Sequence, residues 1–78
     1  MAEPTVVDAR RLLCPMPVIR LQQAIAGLAP GDEVELLSTD PGSRRDVPAW
    51  CRVHRHEVLG CEERGDGVIV TRVRVVGR

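Results

Sequence analysis

Cys14 is followed by Pro15, Met16 and Pro17, and this run is the part of the chain best suited to chemistry. A cysteine just before a helix meets the partial positive charge and free N–H groups of the helix end, which favour the nucleophilic thiolate. The two prolines qualify that expectation. Each lacks an N–H, so Met16 N–H is the close donor left in the turn, while their fixed φ stiffens the first helical positions. The expected result is moderate thiolate stabilisation on a rigid, exposed pedestal. No second thiol stands at Cys-x-x-Cys spacing, which excludes a local dithiol redox pair. A single exposed thiolate without a resolving partner suits a carrier or acceptor. The competing reading makes Cys14 only a helix cap in a non-catalytic regulatory or protein-binding module.

The other reactive side chains have plainer readings. Cys51 shares an apolar stripe with Val47 and Trp50, as a core thiol would, and a second acceptor thiol is the functional alternative. Cys61 sits in a short strand beside Gly60 and Glu62 and reads as structural. Cys51, His54, His56 and Cys61 do not fall at a standard structural zinc spacing, so no metal and no cofactor are expected. His54 reads as a boundary residue, and His56 as a residue favoured by the helix C-terminus when protonated. Arg10, Arg11, Arg44 and Arg45 occupy two loops that flank Cys14. They form either a solvated surface or a positive rim for an anionic donor or an acidic partner patch. Asp46 is expected to pair with one of them. Asp8 is expected to orient the loop before Cys14. Met16 is either a helix-start filler or a partner contact.

The elements that must position these groups follow from periodicity. Thr5 to Val7 reads as a first strand and Asp8 to Leu13 as a loop. From Pro15 onward, Val18, Leu21, Ile25 and Leu28 recur at spacings of three and four, the stripe of an amphipathic helix. Ala29-Pro30-Gly31-Asp32 stops it. Glu33 to Thr39 alternates as a half-buried strand. Asp40-Pro41-Gly42-Ser43 supplies caps for a second helix, with Val47, Trp50, Cys51 and His54 on one face and Pro48 near its start. Val58 to Glu62 is a third strand, Gly65-Asp66-Gly67 a hairpin turn, and Val68 to Val76 the last strand. The last strand has one apolar face and another that carries Arg72 and Arg74, so one side of the sheet is wet. The expectation is an α+β two-layer sandwich of order βαβαββ. Two helices cover one face of a four-stranded mixed sheet, and the last strand is a possible edge.

Composition narrows the functions further. The 78 residues, 44% hydrophobic and 28% charged, make a single domain over 1–78. Eleven arginines balance eleven acids, so a general nucleic-acid coat is a poor fit. With no Phe or Tyr and one Trp there is no base-stacking platform. The absence of Lys removes Schiff-base chemistry. Three cysteines leave at least one unpaired, and Met1-Ala2-Glu3-Pro4 lacks the features of a signal peptide. No apolar run has the length of a membrane span. These features together suggest a cytoplasmic protein with reduced thiols.

The sequence resembles the TusA (SirA-like) sulfur-carrier proteins. The shared pattern is Cys14-Pro15-Met16-Pro17-Val18 after an Asp8-to-Leu13 loop, then Pro30-Gly31-Asp32, Asp40-Pro41 and Arg45-Asp46-Val47-Pro48-Ala49-Trp50-Cys51. It runs through nearly the whole chain in order. One departure stands out: the family's loop glycine is Arg11 here, although glycine takes positive φ far more readily than arginine. The resemblance implies the same two-layer fold and a sulfurtransferase-type carrier acting stoichiometrically. Cys14 would bear a persulfide, supported by Asp8, Pro15, Met16 and Pro17. A sulfur donor such as a cysteine desulfurase or rhodanese would load it. An acceptor in tRNA thiolation, molybdenum-cofactor biosynthesis or sulfur oxidation would unload it. It also implies a monomer with transient complexes, without direct contact to nucleic acid or membrane.

Overall fold

Alternation and helical periodicity build the same frame in three dimensions. The computed structural model describes residues 3–76. Its elements are β1 (Thr5–Ala9), α1 (Met16–Ala26), β2 (Glu33–Ser38), α2 (Ser43–Val53), β3 (Glu57–Glu63) and β4 (Ile69–Arg74). The strands form one sheet in the order β1-β2-β4-β3. β1 runs parallel to β2, as a crossover helix requires, and β4 is antiparallel to both β2 and β3. The last strand is therefore an inner strand, not an edge. It also ends sooner than the alternation suggests.

Both helices pack on one face. Along β2, Val34, Leu36 and Ser38 turn inward, opposite Val73, Thr71 and Ile69 of β4. Pro17, Leu21 and Ile25 of α1, and Ser43, Val47 and Cys51 of α2, close the layer above them. Val18 and Leu28, also on the expected stripe, pack at its margin. Burying each Leu or Ile side chain contributes about 1.5–3 kcal/mol. The other face is wet. Arg74 there pairs with Glu57 at 3.0 Å and lies 3.8 Å from Glu33. Alternation assigns Val70 to that wet face, but it is buried, between Leu37 and Glu62 on the neighbouring strands.

The connections carry most of the differences from expectation. β1 extends through Asp8 and Ala9, because the parallel register continues to Ala9 opposite Ser38. Pro48 lies inside α2 and not near its start, since the helix begins five residues earlier at Ser43. His54 is the C-cap of α2 and is exposed rather than on the buried stripe. Its ring stacks on Trp50 with centroids 4.5 Å apart. His56 Nδ1 accepts a hydrogen bond from the Val76 N–H at 3.3 Å. α2 ends in a Schellman motif: His56 N–H donates to Cys51 C=O at 2.8 Å, and Arg55 sits between at φ 64°. The β3–β4 hairpin closes through Gly67 N–H to Arg64 C=O at 3.0 Å, with Gly67 at φ 83°.

Candidate functional site

The site lies where the β1–α1 and β2–α2 loops meet. Both loops leave the same end of the parallel β1–β2 pair, so the fold brings Cys14 against residues 26 and 32 positions later. Asp8, at the end of β1, takes the Arg10 guanidinium on both oxygens at 2.9 Å and accepts the Arg10 N–H at 3.1 Å. These bonds hold its carboxyl at about 2, well below its usual value. Asp8 thus ties Arg10 to the end of β1. The next residue, Arg11, stands at φ 66° and donates its N–H to Thr39 Oγ1 at 2.9 Å. Arginine accepts the left-handed conformation that the resemblance leads one to expect of glycine.

Cys14 is exposed. Its N–H donates to Asp40 Oδ2 at 2.8 Å, and its Sγ–H donates to Asp46 Oδ2 at 2.8 Å. The thiolate expectation therefore needs correction. The thiol is pushed up from its ordinary value, first by the bond to Asp46, then by desolvation and by the charges of Asp46 and Asp40. The helix end does not offset this. Met16 N–H, the donor left by the prolines, is engaged by Leu13 C=O at 2.8 Å.

Pro15 is the residue before the first helical one, at φ −96°, and Pro17 is the second helical residue and is buried. The Cys14–Pro15 peptide is cis. No side chain caps α1, so Cys14 is not a helix cap. Cys14 meets Pro15, Pro17, Val18, Asp40, Ser43 and Asp46 along a shallow crevice with no room for even a water molecule. Sites for drug-sized ligands are roughly 300–1,000 Å³, so no ligand is enclosed here and the sulfur stands at the surface. Leu13, 75% exposed, and Met16, 38% exposed, give it an apolar border.

The expected arginine rim is only partly formed, and Arg44 and Arg45 lie in the first turn of α2 and not in a loop, because the helix already begins at Ser43. Arg10 is held by Asp8, and Arg44 pairs with Glu63 at 3.1 Å. Arg11 and Arg45 are exposed and form no ion pair among the described residues. Among the described residues Asp46 does not pair with an arginine. It takes the thiol.

The residue that sequence reasoning passed over is Asp40, weighed there only as a cap. Its Oδ1 accepts Gly42 N–H at 3.2 Å while Oδ2 holds Cys14 N–H. Its carbonyl accepts the Ser43 hydroxyl at 2.8 Å, and the buried Ser38 and Ser43 hydroxyls meet at 2.7 Å. The Asp40-Pro41 step was the available signal. Cys51 is fully buried, and burial raises its thiol to about 11. Cys61 Sγ accepts the Thr71 hydroxyl at 3.6 Å. Among the described residues no group of three His, Cys, Asp or Glu side chains could hold a metal. No helix there is long and apolar enough to cross a membrane.

Comparison with known proteins gives a family and a fold. The family model described as "Sulfurtransferase TusA" matches residues 5–75. The sulfur carrier protein TusA of Pseudomonas putida (strain GB-1) is 43% identical over 58 residues, 74% of this chain and 72% of that protein. YrkF of Bacillus subtilis (strain 168) is 39% identical over 61 residues, 78% of this chain but only 33% of YrkF. The crystal structure of a SirA-like protein from Desulfitobacterium hafniense superposes with a TM-score of 0.83 at 27% identity. That match covers 92% of this chain and 97% of that one.

Proposed function

The chain belongs to the TusA sulfurtransferase family, and from that premise we propose that it carries sulfane sulfur as a persulfide on Cys14. The observation that carries the reading is an exposed thiol held where the β1–α1 loop meets the start of α2, with no ligand-sized cavity beside it. Cys14 Sγ attacks the outer sulfur of a donor persulfide. The bond from Sγ to that sulfur forms as the donor's S–S bond breaks. The donor sulfur leaves as a thiolate and takes up the Cys14 proton, so a thiol and a persulfide exchange places. An acceptor thiol then takes the outer sulfur in the same way. Such exchange needs a thiolate, a leaving group and access, and no dedicated pocket.

The donor on this reading is a protein persulfide, such as that of a cysteine desulfurase or rhodanese. The acceptor is a protein of tRNA thiolation, molybdenum-cofactor biosynthesis or sulfur oxidation. Leu13, Met16, Arg11 and Arg45 are the exposed groups near Cys14 that a docking partner would meet. The protein works as a cytoplasmic monomer in transient complexes and reaches RNA only through partners.

The test is intact-mass analysis after incubation with a sulfane-sulfur donor protein. The expected result is a gain of one sulfur atom that a reductant reverses and that Cys14→Ser abolishes. No gain, or a gain that survives Cys14→Ser, overturns the proposal.

A further inference from the structure

Two carboxylates converge on Cys14, Asp46 at its sulfur and Asp40 at its amide. A point one carbon out from Gly42 Cα lies 3.6 Å from both Asp40 carboxylate oxygens and 3.7 Å from Asp46 Oδ2. Asp40 Oδ2 holds the Cys14 amide and Asp46 Oδ2 the thiol, each at 2.8 Å. Among the described residues neither carboxylate has an ion-pair partner. The basic residues nearby are otherwise placed: Arg10 on Asp8, Arg44 of α2 on Glu63, and Arg11 and, in α2, Arg45 outside any ion pair among the described residues. Negative charge beside a reacting sulfur opposes formation of the thiolate. It also opposes the approach of any anionic reagent, persulfides and thiosulfate included.

We propose that Asp46 gates Cys14 by charge, so that the sulfur exchanges readily only with a partner that presents a cationic group to this carboxylate. The inference rests on the carrier reading and names the partner's chemistry: an arginine or lysine beside the partner's reactive sulfur. When that cation docks on Asp46, the thiol loses its acceptor and the field that disfavours the thiolate. Free anionic sulfur species bring no such cation and are held off. Asp46 is thus a positioning residue that acts through Cys14, with Asp40 adding to the field.

Three small disulfides of different charge test the gate, each rate being divided by that of the reference peptide to remove intrinsic reactivity: cystamine (cationic), hydroxyethyl disulfide (neutral) and dithiodipropionate (anionic). In each case the Cys14 thiolate attacks one sulfur, the mixed disulfide forms, and the departing thiolate takes up a proton. Rates are followed by intact mass, with Cys14→Ser as the blank and an unstructured cysteine peptide as reference. Wild type is expected to favour cystamine over dithiodipropionate by about tenfold more than the peptide does. Asp46→Asn is expected to shrink that preference about threefold or more and to move the pH profile for hydroxyethyl disulfide to lower pH. If Asp46→Asn does not fold, raising salt with wild type must compress the preference in the same way. A preference equal to the peptide's, or one that neither the substitution nor salt changes, overturns the gate. Failure of the carrier reading shows separately, as absence of sulfur gain from a donor protein.

Discussion

The amide of Cys14 and the carboxylate of Asp40 meet at 2.8 Å across 26 residues of sequence. This bond ties the loop that carries the sulfur to the loop that opens α2. Its other end reaches the core, because the Ser43 hydroxyl bonds the Asp40 carbonyl and meets Ser38 beneath the helix. Asp40→Ala is therefore expected to lower stability by about 1–2 kcal/mol and to speed hydrogen exchange at the Cys14 amide. Chemical denaturation and amide exchange measured by NMR check both. Unchanged exchange at Cys14 would show that the bond does not anchor the loop.

Cys14 and Cys51 should separate cleanly by reactivity. The alkylation rate of Cys14 is expected to rise with pH to a midpoint above that of an unstructured cysteine, because Asp46 and Asp40 oppose the thiolate. Iodoacetamide labelling with site-resolved mass spectrometry measures it. A midpoint below the reference peptide would contradict the geometry.

The buried Cys51 thiol gives the fold an alkaline limit. Its value rises from 9.0 to about 11 on folding, so the unfolded chain releases this proton first. The stability this provides is complete below pH 9 and declines as pH rises through 9 toward 11. The whole effect is about 2–3 kcal/mol. Denaturation midpoints of wild type and Cys51→Ala across that range should converge at high pH, and parallel curves would refute the assignment.

Ser38 and Ser43 form a buried hydroxyl pair. Since Ser43 donates to the Asp40 carbonyl, Ser38 must be the donor within the pair. Ser43→Ala leaves the Ser38 hydroxyl without its acceptor and is expected to cost about 1–3 kcal/mol. The double variant Ser38→Ala/Ser43→Ala should cost less than the sum of the single variants. A double-mutant cycle by urea denaturation decides it, and strict additivity would show that the hydroxyls do not interact.

Arg11 at φ 66° and Arg55 at φ 64° occupy a region that favours glycine. Arg11→Gly and Arg55→Gly are each expected to raise stability by about 1 kcal/mol, because relief of the strained conformation exceeds glycine's added freedom in the unfolded chain. Thermal melts check this. A loss of stability in Arg55→Gly would imply that its side chain contributes more than its backbone costs.

Local patterns explain what could be read without coordinates. The stripe of Val18, Leu21, Ile25 and Leu28 and the alternation at Val34 and Leu36 specify α1 and β2, and these pack as expected. The position of Cys14 before a helix was legible for the same reason. The direction of its thiol was not. That depends on Asp46, 32 residues away, and no periodicity links residues so far apart. Sequence logic paired Asp46 with an arginine because opposite charges nearby in the chain usually meet. The tertiary fold placed a sulfur there first. Pro48 misled for a related reason: a proline usually marks a helix start, but here packing of Ser43 and Val47 extends the helix past it.

The order β1-β2-β4-β3 has a consequence in time. β4 is the last strand to be synthesised, yet it separates β2 from β3, and both must wait for it. Until residues 69–74 are available, the chain holds only the parallel β1–β2 pair and its helices. Pairings between distant segments form slowly because the chain must close long loops before it gains their contacts. The loop that bears Cys14 and the helix that bears Asp46 follow the strands of that first pair, but the pair lacks its inner neighbour until the end. A chain stopped before β4 should therefore expose its thiol in an unfinished scaffold, open to any oxidant it meets.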